Sequence, residues 1–267
     1  MRTSARKSTV TRIRPNRAPR GINPTEWEAR CELAAAFRIA ARLGYTDFLG
    51  THFSLRVPGT EDQFLINPFG MFFEEITASS LIRVDTEGNK LSESPYEVNR
   101  AGFVIHSAVH MGAADAHCVM HCHTTAGVGV ATQRQGLLPI TQMALTIWGQ
   151  VRYHDYEGIA DNEDERKRIV EDLGDGNILI LRNHGTLTVG STVAEAFSRM
   201  NRIERACHFQ LAALTGGAEA NPIPQEVIDY TAQQGKTFSV NPVSSGGKLL
   251  WAALKRKLDR EDPEYRQ

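Results

Sequence analysis

At 267 residues the chain is long enough to bury one substantial core, and nothing in its middle reads as a linker, so a single domain over 23–267 is expected. Its 30 Lys and Arg balance 31 Asp and Glu, which leaves no bulk charge to draw it to nucleic acid or to an acidic membrane surface. No apolar run approaches the ~20 residues that span a bilayer, so the expected partner is a small molecule, with neither nucleic acid nor membrane.

Residues 1–22 differ from the rest. They hold Arg2, Arg6, Lys7, Arg12, Arg14, Arg17 and Arg20, several Ser and Thr, and no acid. Such a segment buries no core and is expected to be disordered, or to order only against a neighbouring subunit; the composition also matches an organellar transit peptide. The four cysteines, Cys31, Cys118, Cys122 and Cys207, are scattered through apolar patterns, as reduced thiols of a cytoplasmic protein are.

In chain order, Thr25-Glu26-Trp27-Glu28 has the form of a capping box. Leu33, Phe37 and Ala40 then recur at helical spacing up to a stop at Gly44. Phe48–Val57 and Gln63–Ile66 read as strands divided by Pro58-Gly59, and Ile82–Asp85 as another, followed by a turn at Glu87-Gly88-Asn89. A helix between Asn99 and Gly112 carries His106 and His110 on one face. Thr124–Ala131 begins a further helix, Thr146–Tyr156 holds a strand with Tyr153, His154 and Asp155 in a loop, and Asp161–Leu173 is a charged surface helix stopped by Gly174. Ile178–Leu181 is a strand. Thr192-Val193-Ala194-Glu195 is a second capping box, opening a helix with the buried stripe Val193, Phe197, Met200, Ile203, Cys207, Leu211 and Leu214. An amphipathic segment over Leu249–Leu258, with Trp251, packs on its own core or on a neighbouring subunit. Helices interleave with strands, several of which are joined by short turns, so the expected architecture is α/β: a mixed, mainly antiparallel sheet covered by helices.

The chemistry concentrates in Ala116-His117-Cys118-Val119-Met120-His121-Cys122-His123. Strand side chains two apart share a face, so His121 and His123 offer two imidazoles to one metal ion, while Cys122 points the other way as buried filler. A third candidate, His184, lies in Leu181-Arg182-Asn183-His184-Gly185, where a strand gives way to a turn. Three neutral imidazoles with a position left open suit a catalytic zinc or a similar divalent ion.

These residues, with Asn99–His106, Gly136–Ile140 and Tyr153–Gly158, resemble the class II aldolase and adducin head family over roughly residues 25–260, closest to its adducin-like branch. The resemblance implies a three-layer αβα fold around a mainly antiparallel sheet, His121, His123 and His184 as metal ligands, and commonly a homotetramer. It implies zinc, with manganese or Fe(II) as alternatives.

The family's aldolases carry a proton-shuttling Glu four residues before the match to His106. Here that position is Gly102. The phosphate cradle also departs: Gly-Asn-x-Ser becomes Thr51-His52-Phe53-Ser54, Thr-Gly becomes Phe69-Gly70, and Ser-Ser becomes Arg100-Ala101. Fewer hydroxyl donors and an added aromatic point away from a phosphate and toward a carboxylate or aromatic group. Arg100 pairs with such a carboxylate or forms a surface or intersubunit salt bridge. His52 is a general acid–base group, a substrate donor or a buried hydrogen-bonding residue. Phe69, Gly70 and His106 are expected on the substrate side, His106 and His110 otherwise supporting the ligands from behind.

Three functions follow as expectations. The first is a divalent-metal-dependent carbon–carbon lyase, aldolase or decarboxylase, for a non-phosphorylated carbonyl or oxo-acid substrate. The second is an Fe(II) oxygenase performing oxidative decarboxylation. The third is a non-catalytic adducin-like assembly module.

Overall fold

The computed structural model describes residues 17–113, 115–159, 163–240 and 247–267. Most of the expected basic arm, and Asp161 at the expected start of the charged helix, lie outside them.

Eight helices are formed among the described residues: α1 (Pro24–Arg42), α2 (Arg100–Gly112), α3 (Thr125–Thr132), α4 (Gln142–Leu145), α5 (Glu163–Leu173), α6 (Val193–Ala213), α7 (Gln225–Val240) and α8 (Lys248–Glu261). Among the same residues seven strands, β1 (His52–Arg56), β2 (Gln63–Ile66), β3 (Ile82–Asp85), β4 (Cys118–Cys122), β5 (Val151–His154), β6 (Ile178–Leu181) and β7 (Gly185–Gly190), make one sheet. Their order is β3-β2-β1-β4-β7-β6-β5. Every neighbouring pair is antiparallel except β5 and β6, whose parallel pairing is bridged by α5, since parallel strands need a crossover. Among the described residues, no helix is long and apolar enough to cross a membrane.

Strand alternation divides the core into two layers. On one face Leu33 and Phe37 of α1, Phe197, Met200 and Ile203 of α6, and Trp251 of α8 cover Phe53, Leu55, Leu65, Met120, Cys122 and Ile180. Phe37 anchors this layer, stacked 4.9 Å from Phe53 and edge-on 4.6 Å from Phe73 between ring centroids. On the other face Val104, Ile105 and Val109 of α2 and Ile169 and Leu173 of α5 cover Val119, Leu179, Leu187 and Val189. The fold is a three-layer α/β sandwich around a mixed sheet, as the interleaved elements predict.

Several local expectations are corrected. Thr25 does not cap α1: the Asn23 side chain accepts the Thr25 amide at 2.9 Å, and Pro24, with its preset φ, starts the helix earlier. β1 begins at His52, because Phe48 turns the chain with φ 45° and is 78% exposed. The strand within Thr146–Tyr156 shrinks to β5, since Trp148–Gln150 form a 3₁₀ turn, and Tyr153 and His154 lie on the strand and not in a loop. β7 is unforeseen, because Gly185–Gly190 is buried on both faces and shows no alternation; α4 and α7 are unforeseen too. Thr192 does cap α6, accepting the Glu195 amide at 3.2 Å.

Candidate metal centre

β4 delivers the first imidazole. Met120 and Cys122 enter the α1 and α6 layer, whereas Val119 and His121 face α2, and His121 has no exposed surface. Its Nδ1 lies 3.0 Å from the backbone carbonyl of Thr186 on β7. A carbonyl only accepts, so Nδ1 carries the proton and Nε2 presents a lone pair. His123 follows just beyond the strand with Nδ1 3.2 Å from the Asp47 carboxylate, which fixes the same tautomer.

His184 comes from the turn between β6 and β7. Asn183 before it takes φ 57°, a left-handed conformation that Asn tolerates, and a Cβ on Gly185 after it would meet the Cys122 carbonyl oxygen at 2.4 Å. The Asn-His-Gly sequence is therefore the local means of turning His184 back toward β4.

The ligating atoms of His121, His123 and His184 lie within 4.8 Å of one another, and the Nε2 atoms of the first two are 2.7 Å apart. Two imidazole lone pairs facing each other repel. Burial pushes the basicity of His121 well down, with the neighbouring His184 and His52 adding to it, and takes that of His184 down to about 4. The two lone pairs and the His184 imidazole, whose burial disfavours its charged form, converge on one point. With the outer nitrogens of the first two each held by an acceptor, they form a donor set that fits a divalent cation, whose tetrahedral Zn–N bonds would space such nitrogens by ~3.3 Å. Behind Thr186, its hydroxyl and that of Thr124 both donate to the buried carboxylate of Glu204 on α6.

His52 sits beside this group, opposite His121 in the β1–β4 ladder, with ring centroids 4.9 Å apart. Its Nδ1 is 2.8 Å from His106 Nε2, and its ring lies against the backbone of Gly102. A line of hydrogen bonds continues from His106 Nδ1 to Ser54 Oγ at 2.5 Å, from Ser54 Oγ to His110 Nε2 at 2.7 Å, and from His110 Nδ1 to the Ala116 carbonyl at 2.9 Å. Burial lowers the basicity of all three imidazoles, to about 3 for His52 and His110. His106, with no exposed surface, stands behind His52 and not on the substrate side.

The remaining expected residues are more dispersed. Arg100 is exposed at the start of α2 and forms no ion pair among the described residues. Phe69 is 46% exposed and bridges to Glu97 through its backbone, while Gly70, with φ 110°, packs beneath Tyr96. His154 bonds Asp172 at 2.7 Å and Glu165 at 3.4 Å, tying β5 to α5, and Tyr153 lies under the Arg182 guanidinium. Sequence reasoning misses Asp47, Thr186 and Glu204, which act across distant segments. Ser54 was legible by strand period, two residues from His52 on the same face.

A model of the class II aldolase and adducin N-terminal domain matches residues 31–211. A Pseudomonas aeruginosa protein named after the class 2 aldolases is 48% identical over 92% of this chain and 95% of its own. The alpha-adducin of Rattus norvegicus is 38% identical over 86% of this chain, which spans 33% of that protein. The solved L-fuculose 1-phosphate aldolase of Glaciozyma antarctica superposes with a TM-score of 0.78 at 26% identity, covering 94% of this chain and 98% of its own. Fold, histidine cluster and these likenesses agree, and the chain belongs to the class II aldolase and adducin N-terminal domain family.

Proposed function

We propose that the protein is a divalent-metal-dependent carbon–carbon lyase, of aldolase or decarboxylase type, for a non-phosphorylated carbonyl or oxo-acid substrate. The convergence of His121, His123 and His184, with the outer nitrogens of His121 and His123 already engaged, carries this reading. These three hold the ion, zinc first, with manganese or Fe(II) as alternatives. When bound, such an ion polarises a substrate carbonyl and stabilises the negative charge left by carbon–carbon cleavage.

His52 takes the place of the absent Glu. Its Nε2 has no hydrogen-bond partner among the described residues and is the acceptor for the substrate hydroxyl proton released as the adjacent bond breaks. Ser54, the counterpart of a phosphate-binding serine in the family pattern, has its hydroxyl engaged by His106 and His110, so it is not free to hold a phosphate. That supports a substrate unlike the one in the name of the Glaciozyma protein. Arg100 then receives a substrate carboxylate, with Phe69 and Gly70 bordering the substrate. The same reading takes the protein as a cytoplasmic homo-oligomer, a tetramer.

The 38% identity to alpha-adducin favours a second reading, a non-catalytic assembly module, against which the intact histidine triad weighs. Elemental analysis of protein purified without chelator, with turnover assays on phosphorylated and non-phosphorylated hydroxy-oxo acids, separates them. One metal equivalent per chain, lost in His123→Ala, and faster turnover of the non-phosphorylated compounds is expected. Iron with oxygen uptake would indicate the oxygenase, and absence of both metal and turnover would leave the assembly module.

A further inference from the structure

The row of hydrogen bonds running from His52 to the Ala116 carbonyl contains one hydroxyl and three imidazoles, and its protons can be counted. The Ala116 carbonyl only accepts, so His110 places its proton on Nδ1. Neutral His110 then offers a lone pair at Nε2, and Ser54 must donate its single hydroxyl proton there. Having spent that proton, Ser54 can only accept from its other neighbour, so His106 carries its proton on Nδ1. The Nε2 of His106 is consequently a lone pair, and His52 donates to it from Nδ1. The opposite polarity fails at Ser54, where one hydroxyl would have to donate twice, leaving two lone pairs in contact.

We infer that His110, Ser54 and His106 form a one-way relay that fixes His52, whose ring packs beside His121, as the Nδ1–H tautomer and so keeps its Nε2 as a permanent hydrogen-bond acceptor. His110, Ser54 and His106 are positioning residues. They touch no substrate and act through His52, whose role as the proton-accepting group is the reading proposed above. The burial of His110 and His106, which disfavours a second proton on either ring, supports the same polarity. The direction is set by the Ala116 carbonyl, which has no alternative protonation state, together with the single proton of Ser54. The His52 carbonyl also faces the His106 ring, but it cannot reverse the order without a second hydroxyl proton at Ser54. The ring orientation is set as well: His52 has its Nδ1 tied to α2 and its Cδ2 edge against Gly102, so neither a ring flip nor a tautomer change leaves it satisfied.

Solid-state ¹⁵N spectra of the full chain labelled at histidine distinguish protonated from unprotonated ring nitrogens. The expected result is Nδ1–H for His52, His106 and His110 alike. In Ser54→Ala, His106 loses its acceptor and turns its proton to Nε2, which drives His52 to Nε2–H. Turnover should then fall by a factor within the ~10²–10⁴ range of general acid–base catalysis, with KM and metal stoichiometry unchanged, while Ser54→Thr, which retains the hydroxyl, should preserve both the tautomer and the rate. Nε2–H on His52 in the unaltered protein, or an unchanged His52 tautomer in Ser54→Ala, would overturn the relay. If the tautomers are as expected and no lyase substrate is turned over, the relay stands and the lyase reading falls.

Discussion

The ring of His52 occupies the space that any side chain at position 102 would need: a Cβ on Gly102 would stand 2.6 Å from His52 Cδ2 and 2.8 Å from Nε2. A glutamate at position 102 and the His52 ring therefore exclude each other, since both side chains would claim the same volume between α2 and β1. The His52 ring cannot yield, because its other nitrogen is bonded to His106.

Gly102→Ala tests this through its sign. In an ordinary helix interior the change stabilises by up to ~1 kcal/mol, but here it should destabilise by ~1–3 kcal/mol through overpacking. Gly102→Glu should cost at least as much alone and markedly less in the presence of His52→Asn, giving a coupling of ~0.5–3 kcal/mol. Urea denaturation of the four variants measures it, and additive effects would mean that the two positions do not compete.

Asp47 holds the outer nitrogen of His123 at 3.2 Å from a half-exposed loop position. Asp47→Ala should leave one metal equivalent per chain but weaken its affinity by ~10–100-fold, as loss of an orienting carboxylate does elsewhere. Competition against a chromophoric chelator reads the affinity directly. An unchanged affinity would show that the Thr186 carbonyl and the turn at Asn183 suffice to orient the triad.

Burial takes His110 from its ordinary 6.5 down to about 3. The unfolded chain therefore binds this proton first, so the associated stability is complete above 6.5 and is lost as pH falls toward 3. Each such imidazole steepens the decline by ~1.4 kcal/mol per pH unit. Urea midpoints across this window should fall less steeply for His110→Gln, by about one proton's worth of slope. Equal slopes would mean that His110 is already charged in the folded protein.

Much of the fold and the centre of the site was legible because both rest on short-range periodicity. The H-x-H pair follows from strand alternation, and the stripe of α6 from helical spacing. What was not legible depended on pairing between distant segments or on burial that erases alternation. β7 is buried on both faces, so its Thr and Gly residues gave no period, and with it the Thr186 carbonyl that orients His121 was lost. Asp47 carried no pattern because a turn at Phe48 delivers it. The relay was half visible: His106 and His110 four apart, and Ser54 two from His52, but only the β1–α2 contact makes them one line.

The ladder that sets His52 against His121 and Cys122 against Thr186 has a consequence for folding itself. A slip of β4 by one residue would turn both His121 and His123 to the face now filled by Met120 and Cys122, and would put a thiol where the imidazoles converge. A chain paired in that way could offer His184 alone to a cation. On the proposed reading of the triad as metal ligands, metal affinity is also an assay of strand alignment, and an ion present during folding would select the correctly aligned sheet from its near misses.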